Sequence, residues 1–301
     1  MQKKIILVAG GTGLIGESLV SYLREKGHEV RVLSRQETNV SEKIYNWSPV
    51  DKVIDQNALT NVQVIFNLVG AGIADKRWTS ERKKELIDSR VIPALFLSSV
   101  AEKSTTLEHY VSSSGINCYG YNNYSRKHQE SDPYGEDFLS QVVKLWEEAA
   151  DTFRNFTKVA KIRTAVVLTD QGGALPKIAS PIQNYIGAPL GSGKQWMPWI
   201  TLIDLIRVFE HIMENKYEGA FNVVAGNKTN KDFTKTLAKV LNKPLWLPPV
   251  PAFVLKIALG EMSSVVLKGI QADNKKLKDT GFNFENKSLE ESLAAIYDKK
   301  N

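Results

Sequence analysis

The 301-residue chain reads as a doubly wound α/β protein: a largely parallel sheet covered by helices, followed by a small, mainly helical C-terminal lobe. Three observations predict this. An apolar segment at Lys4–Ala9 runs into glycines spaced Gly10-x-x-Gly13-x-x-Gly16 and then into a helical pattern. Apolar strand-like runs recur at 4–9, 30–34, 62–69, 109–114, 159–168 and 220–224, separated by longer segments with helical periodicity. Such alternation produces parallel strands with both faces covered. From about Gly172 the texture changes to clusters of Gly, Pro and Trp. The reading assigns a Rossmann-type domain to residues 1–170, its sheet completed by a later strand near 219–225, and a substrate or C-terminal lobe to 171–301.

The first unit carries the most chemistry. Ile5–Val8 are β-prone, and Leu14, Ile15, Leu19 and Leu23 recur at helical spacing until Lys26-Gly27. Between them, the first glycine allows a tight turn, the middle one lets a pyrophosphate approach the backbone, and the third lets helix and strand pack closely. The free N–H groups and positive dipole end of the helix then face the phosphates. The second strand, Glu29–Ser34, ends in Ser34-Arg35, where an NAD-preferring site usually has a carboxylate for the ribose hydroxyls. A guanidinium there reverses the sign and suits the 2′-phosphate of NADP(H).

The later segments are loop-rich. Gly172–Pro176 and Gly187–Trp199 are expected loops, and loops carry specificity. Asn230–Leu241 reads as an amphipathic helix, Lys243–Pro251 as proline-broken, Ala252–Leu267 as an apolar helix, and the Lys-rich C-terminus as frayed.

Composition narrows the function classes. No run approaches the roughly 20 apolar residues that cross a bilayer, and the N-terminus enters a strand without a secretory pattern, so a cytoplasmic protein with no membrane partner is expected. The single cysteine, Cys118, excludes an internal disulfide, and the four histidines lack ligand spacing, so no metal site is expected. The net charge of +6 is spread along the chain without the concentrated basic stripe of a nucleic-acid-binding protein. A small-molecule substrate is the expected partner, and a homodimer stays open.

The glycine pattern, the strand His109–Ser114 and the pair Tyr119-Gly120 resemble extended short-chain dehydrogenases/reductases. A narrower set includes Asn67–Ala71, Asp75–Thr79, Ser89-Arg90, Trp146-Glu147, Ile162-Arg163, Gly172–Leu175, Gly191–Trp196 and Gly260-Glu261. It is similar to an atypical, nucleoside-diphosphate-sugar epimerase-like subgroup with a C-terminal domain of unassigned function. The resemblance implies NADP(H) binding by Gly10, Thr12, Gly13, Leu14, Ile15 and Gly16, by Ser34 and Arg35, by Leu68, Val69 and Gly70, and by Arg90. It supplies no substrate.

Hydride transfer in this superfamily usually uses a tyrosine whose pKa is lowered by a lysine four residues on. No Tyr-x-x-x-Lys occurs here, and Phe138–Ala150, where that dyad would lie, offers Leu139, Val142, Val143, Leu145 and Trp146. Ser114, at the strand end that would face the nicotinamide, is the first catalytic candidate. Tyr119 is the second, with Lys127 or His128 as electrostatic helper. Glu147 reads as a solvated helix charge. Asp75–Trp78 suits an anionic or planar substrate, although a solvated charged loop reads equally well. Lys194–Trp199 suits a substrate wall, with an interface patch as the competing reading. Thr201 stands where the subgroup often has a histidine, and Asp204 is retained. Two functions follow: an NADP(H)-dependent epimerase-like oxidoreductase acting on a small polar or nucleotide-linked metabolite, or a non-catalytic NADP(H)-binding sensor or scaffold.

Overall fold

The structure, a computed structural model, describes residues 3–121, 126–285 and 288–298. The chain folds in the order β1 (Ile5–Ala9), α1 (Leu14–Glu25), β2 (Glu29–Ser34), β3 (Ile44–Ser48), β4 (Val53–Ile54), β5 (Val64–Asn67), α2 (Ser80–Ala101), β6 (His109–Gly115), β7 (Lys127–His128), α3 (Phe138–Asp151), β8 (Lys158–Thr164) and β9 (Val166–Leu168). Then come α4 (Ala174–Gln183), β10 (Trp196–Thr201), α5 (Leu202–Glu214), β11 (Gly219–Val223), β12 (Gly226–Thr229), α6 (Asn230–Val240), α7 (Ala252–Leu259), α8 (Ser264–Leu267), β13 (Gln271–Ala272), α9 (Lys275–Asp279) and α10 (Leu289–Tyr297).

The main sheet has eight strands in the order β11-β8-β6-β5-β1-β2-β3-β4, parallel except where β4 turns back on β3. Period-two alternation sorts its side chains. Ile6, Val8, Val64, Phe66, Val111 and Ile162 join one core with Leu19 of α1 and Phe209 of α5. Leu7, Ile65, Tyr110 and Val159 join another with Phe96 and Leu97 of α2 and Ala150 of α3. Ser112 and Ser114 share the parity of Tyr110 and therefore lie on the α3 side of β6.

Four runs depart from the sequence reading: Ala174–Pro176, expected as loop, opens α4, and Trp196–Trp199, also expected as loop, belongs to β10. The run 159–168 is two strands in different sheets: β8 belongs to the large sheet, and after Ala165 the chain continues as β9 in a three-stranded sheet ordered β12-β10-β9. Beside it, β11 likewise passes through Val224–Ala225 into β12, and Ala165 N–H bonds the Val223 carbonyl at 3.2 Å. The expected helix over 252–267 breaks because Gly260 takes a left-handed φ of +61°, which ends α7.

The lobe has its own core. Leu168, Leu175, Trp199, Phe233, Leu237 and Leu293 pack between the small sheet and α4, α6 and α10. Residues past 170 also serve the large sheet, because α5 covers one face and β11 is its edge strand. No helix among the described residues is long and apolar enough to cross a membrane.

Candidate functional site

The glycine loop lies at the carboxyl end of β1, between β2 and β5, where an open α/β sheet binds its ligand. Gly10 has φ +81°, and a Cβ there would stand 2.9 Å from the Leu68 carbonyl carbon, so the first glycine lets the turns after β1 and β5 touch. At Gly16 a Cβ would lie 2.1 Å from the Gly10 oxygen, which makes this glycine essential to helix–strand packing. Gly13 differs: a Cβ there would meet only the Gly10 oxygen, at 3.5 Å. The space in front of it belongs to no protein atom. Gly11, missed in the sequence, fits because a Cβ would press within 2.8 Å of Val32.

α1 starts at Gly13 with no side-chain cap, as do α4, α7, α8 and α9 at their own first turns, whereas α2, α3, α5, α6 and α10 are capped by Thr79, Asp137, Thr201, Thr229 and Ser288. A dinucleotide phosphate fits this end in chemistry and in space. Ser34 is buried at the end of β2, its hydroxyl accepting the Gln36 N–H at 3.2 Å, and Arg35 is exposed beside it. Thr12 and Gly70 are also exposed, and Leu14, Ile15, Leu68 and Val69 are half-buried. Arg90 lies beneath Gly70. Its guanidinium donates to the carbonyls of Leu86 at 2.8 Å and Ala71 at 2.9 Å and rests over the Trp146 ring. Burial, with the Arg82 charge nearby, lowers its pKa to about 10, leaving it cationic at neutral pH. It stiffens the turn after β5.

Ser114 and Tyr119 come together in one buried network that the sequence did not show. Ser114 Oγ donates to Glu147 Oε1 at 2.5 Å, and Tyr134 donates to Glu147 Oε2 at 2.7 Å. Arg163 grips the same carboxylate with two bonds of 2.8 and 2.9 Å. It also donates to the Tyr119 hydroxyl at 3.0 Å, and that hydroxyl in turn donates to Asn222 Oδ1 at 2.6 Å. Glu147 is 1% exposed, which corrects its reading as a solvated helix charge; Glu148, paired with Lys144, is the solvated one. Burial alone would raise the Glu147 pKa, but the bonds and charge of Arg163, with Ser114 and Lys161, hold it below the usual carboxylate range. Burial pushes the Tyr119 phenol well above its ordinary value. His128 stacks on Tyr119 at 4.8 Å, and its Nδ1 lies 3.0 Å from Asp132, while Lys127 is exposed. A signal for Glu147 existed: Lys161 and Arg163 alternate within an otherwise apolar strand, and buried cations require an anion.

Other candidates become structural. Trp199 is a core residue of β10, 3% exposed, which removes it from the expected substrate wall, while Lys194 is exposed and Trp196 and Met197 are half-buried. Trp78 is buried against Phe138, Leu139 and Met262 with its Nε1 on the Ile73 carbonyl, and Arg77 donates to the Ile257 carbonyl, so the Asp75–Trp78 loop ties the lobe to α2. Thr201 caps α5 by accepting the Asp204 N–H at 3.2 Å. Leu139 and Val143 are both buried on α3.

The model of the NAD-dependent epimerase/dehydratase family matches residues 6–224, spanning the glycine loop and the buried network. The chain belongs to this family. A domain of unknown function, DUF1731, matches residues 250–296 of this epimerase-family protein. It is 34% identical over 304 residues to a chloroplastic SDR39U1 homolog of Arabidopsis thaliana, covering 97% of this chain and 86% of that one. It is 33% identical over 300 residues to the epimerase family protein YfhF of Bacillus subtilis, covering 97% of each. Among solved structures, human SDR39U1 with NADPH superposes with a TM-score of 0.86 at 28% identity, covering 98% of this chain and 99% of that one. A nucleoside-diphosphate sugar epimerase from Corynebacterium glutamicum gives 0.80 at 26% identity, covering 98% of this chain and 58% of its own.

Proposed function

We propose that this epimerase-family protein binds NADP(H) on the glycine loop and acts as an oxidoreductase on a small polar or nucleotide-linked metabolite. Arg35 carries the nucleotide preference: an exposed cation at the end of β2, where a carboxylate would select NAD. The human relative with NADPH supports the same choice. When bound, the nicotinamide supplies or accepts a hydride. The protein's part is to seat phosphates on Gly10–Gly16, clamp the 2′-phosphate with Arg35, and hold the turn Leu68–Gly70 through Arg90. Ser114 donates its hydroxyl hydrogen bond to Glu147, which leaves its oxygen lone pairs to accept from a ligand hydroxyl at the end of β6. Tyr119, held at both sides by Arg163 and Asn222, is a positioning residue instead of a proton donor.

Calorimetry tests the nucleotide reading. A charged hydrogen-bonded contact is worth roughly 1.5–3 kcal/mol, so NADPH should bind more than tenfold tighter than NADH, and Arg35→Ala should erase most of the difference. Equal affinities in the unaltered protein would overturn it. Ser114→Ala should lower turnover by roughly 10²–10⁴-fold with NADPH affinity little changed.

A second reading, an NADP(H)-binding sensor without turnover, draws support from the internally bonded Ser114 and Tyr119 and from α3, which buries apolar residues such as Leu139 and Val143 and carries no Tyr-x-x-x-Lys dyad. Stoichiometric NADPH binding with no transfer of a 4-deuterium label to any of a panel of carbonyl metabolites and nucleotide sugars selects the sensor.

A further inference from the structure

The C-terminal lobe presents large apolar side chains that nothing among the described residues covers. No residue of α7 is buried; Phe253 is 64% and Ile257 73% exposed, with Trp246 at 66% and Ile186 at 62%. Clusters of exposed large apolar side chains mark contact surfaces. Phe253 and Ile257 stand one turn apart on the same helix face, with Lys256 beside them. The segments bearing Ile186 and Trp246 run side by side, because Lys243 Nζ bonds the Tyr185 hydroxyl at 2.7 Å and Val250 exchanges backbone hydrogen bonds with Pro189 and Gly191. α7 itself is fixed from behind, its Ile257 carbonyl held by Arg77 and its end set by Gly260. The side chains are thus presented on a braced support.

Charge identifies the occupant. Within the lobe, the stretches 171–203 and 233–260 that bear these apolar residues contain no aspartate or glutamate and carry Lys177, Lys194, Lys235, Lys239, Lys243 and Lys256, while Glu261, just beyond α7, is paired with Lys83. Lys177 pairs with Asp75 and Lys239 with Glu290, whereas Lys194, Lys235 and Lys256 have no partner among the described residues. A second copy placed across a two-fold axis would bring up the same acid-free stretches, which offer these lysines no carboxylate. An anionic lipid surface answers both halves of the pattern, taking apolar side chains at the headgroup boundary and pairing lysines with phosphates.

We propose that the protein docks on anionic membrane surfaces through Trp246, Phe253 and Ile257, with lysines of the lobe facing the headgroups. The expectation of no membrane partner rested on span length, and surface docking needs no span.

Co-sedimentation with equimolar phosphatidylcholine–phosphatidylglycerol vesicles tests this. Binding should be at least tenfold stronger than to phosphatidylcholine alone and should weaken as salt rises. Tryptophan emission should shift to shorter wavelength on binding, and Trp246→Phe should remove the shift. The exposed double substitution F253E/I257E should lose at least tenfold in partitioning while keeping thermal stability and NADPH affinity. Failure to sediment with either vesicle overturns the proposal. So does a concentration-dependent dimer in ultracentrifugation that I257E abolishes, because that outcome assigns the face to a second copy. Binding equal in the two vesicle types overturns the assignment of charge.

Discussion

Glu147 and Arg163 form a pair whose removal is costly in a way that a surface ion pair would not be. With both side chains almost wholly buried, deleting one charge leaves the other desolvated and unpaired, a penalty of about 3–5 kcal/mol. Glu147→Gln should lower the melting temperature by several degrees and loosen Ser114, Tyr134 and Tyr119 together, since all three bond this pair directly. Chemical denaturation of the Glu147→Gln, Ser114→Ala and double variants checks the shared network: the double variant should lose clearly less than the two singles added. Simple additivity would mean the hydroxyl and the carboxylate act separately.

At the scale of elements, the β1–α1 turn separates two glycine roles that sequence spacing lumps together. Gly13→Val meets only the Gly10 oxygen and a backbone φ of −92°, so the fold should lose no more than about 1 kcal/mol while NADPH binding disappears. Gly16→Ala drives a Cβ into the Gly10 carbonyl, so it should destabilise the fold as well. Melting temperature and NADPH fluorescence, read on both variants, distinguish the roles. The sequence showed this unit well, because strand period, glycine spacing and helix period agree over Ile5–Glu25. It also placed the edge strand near 219–225 and the dyad-free helix at 138–150. It missed β3, where Asn46 and Ser48 mute the apolar signal, and β4, which is only two residues long, and it fused β8 with β9 because both carry apolar residues and only tertiary pairing parts them. Lys161 and Arg163 announced a buried anion, but which carboxylate answers them was hidden, because Glu147 lies on another element 16 residues away.

For the whole molecule, burial gives stability a pH dependence. It lowers the pKa values of His28, His109 and His211, that of His109 to about 4. A histidine with a depressed folded pKa binds protons more readily when unfolded, so its contribution is complete above about 6.5 and drains away as pH falls toward the folded value. His109 alone can remove about 3 kcal/mol across that window. Glu147, also depressed, adds a loss only in the more acidic range below the usual carboxylate pKa. Urea midpoints should therefore fall steadily from pH 7 to pH 5, and His109→Gln should flatten that slope. The paired crossings at Ala165 and at Val224–Ala225 carry a different implication. Two neighbouring strands of the large sheet pass, after one residue and two residues respectively, into strands of the small one, so fraying of either sheet at that seam strains the other. The molecule should melt as one calorimetric unit, with equal van't Hoff and calorimetric enthalpies, although it is built around separate apolar cores. A disturbance at α4 or β10 then has a covalent route to Arg163 and Asn222, the last side chains of the buried network before each crossing.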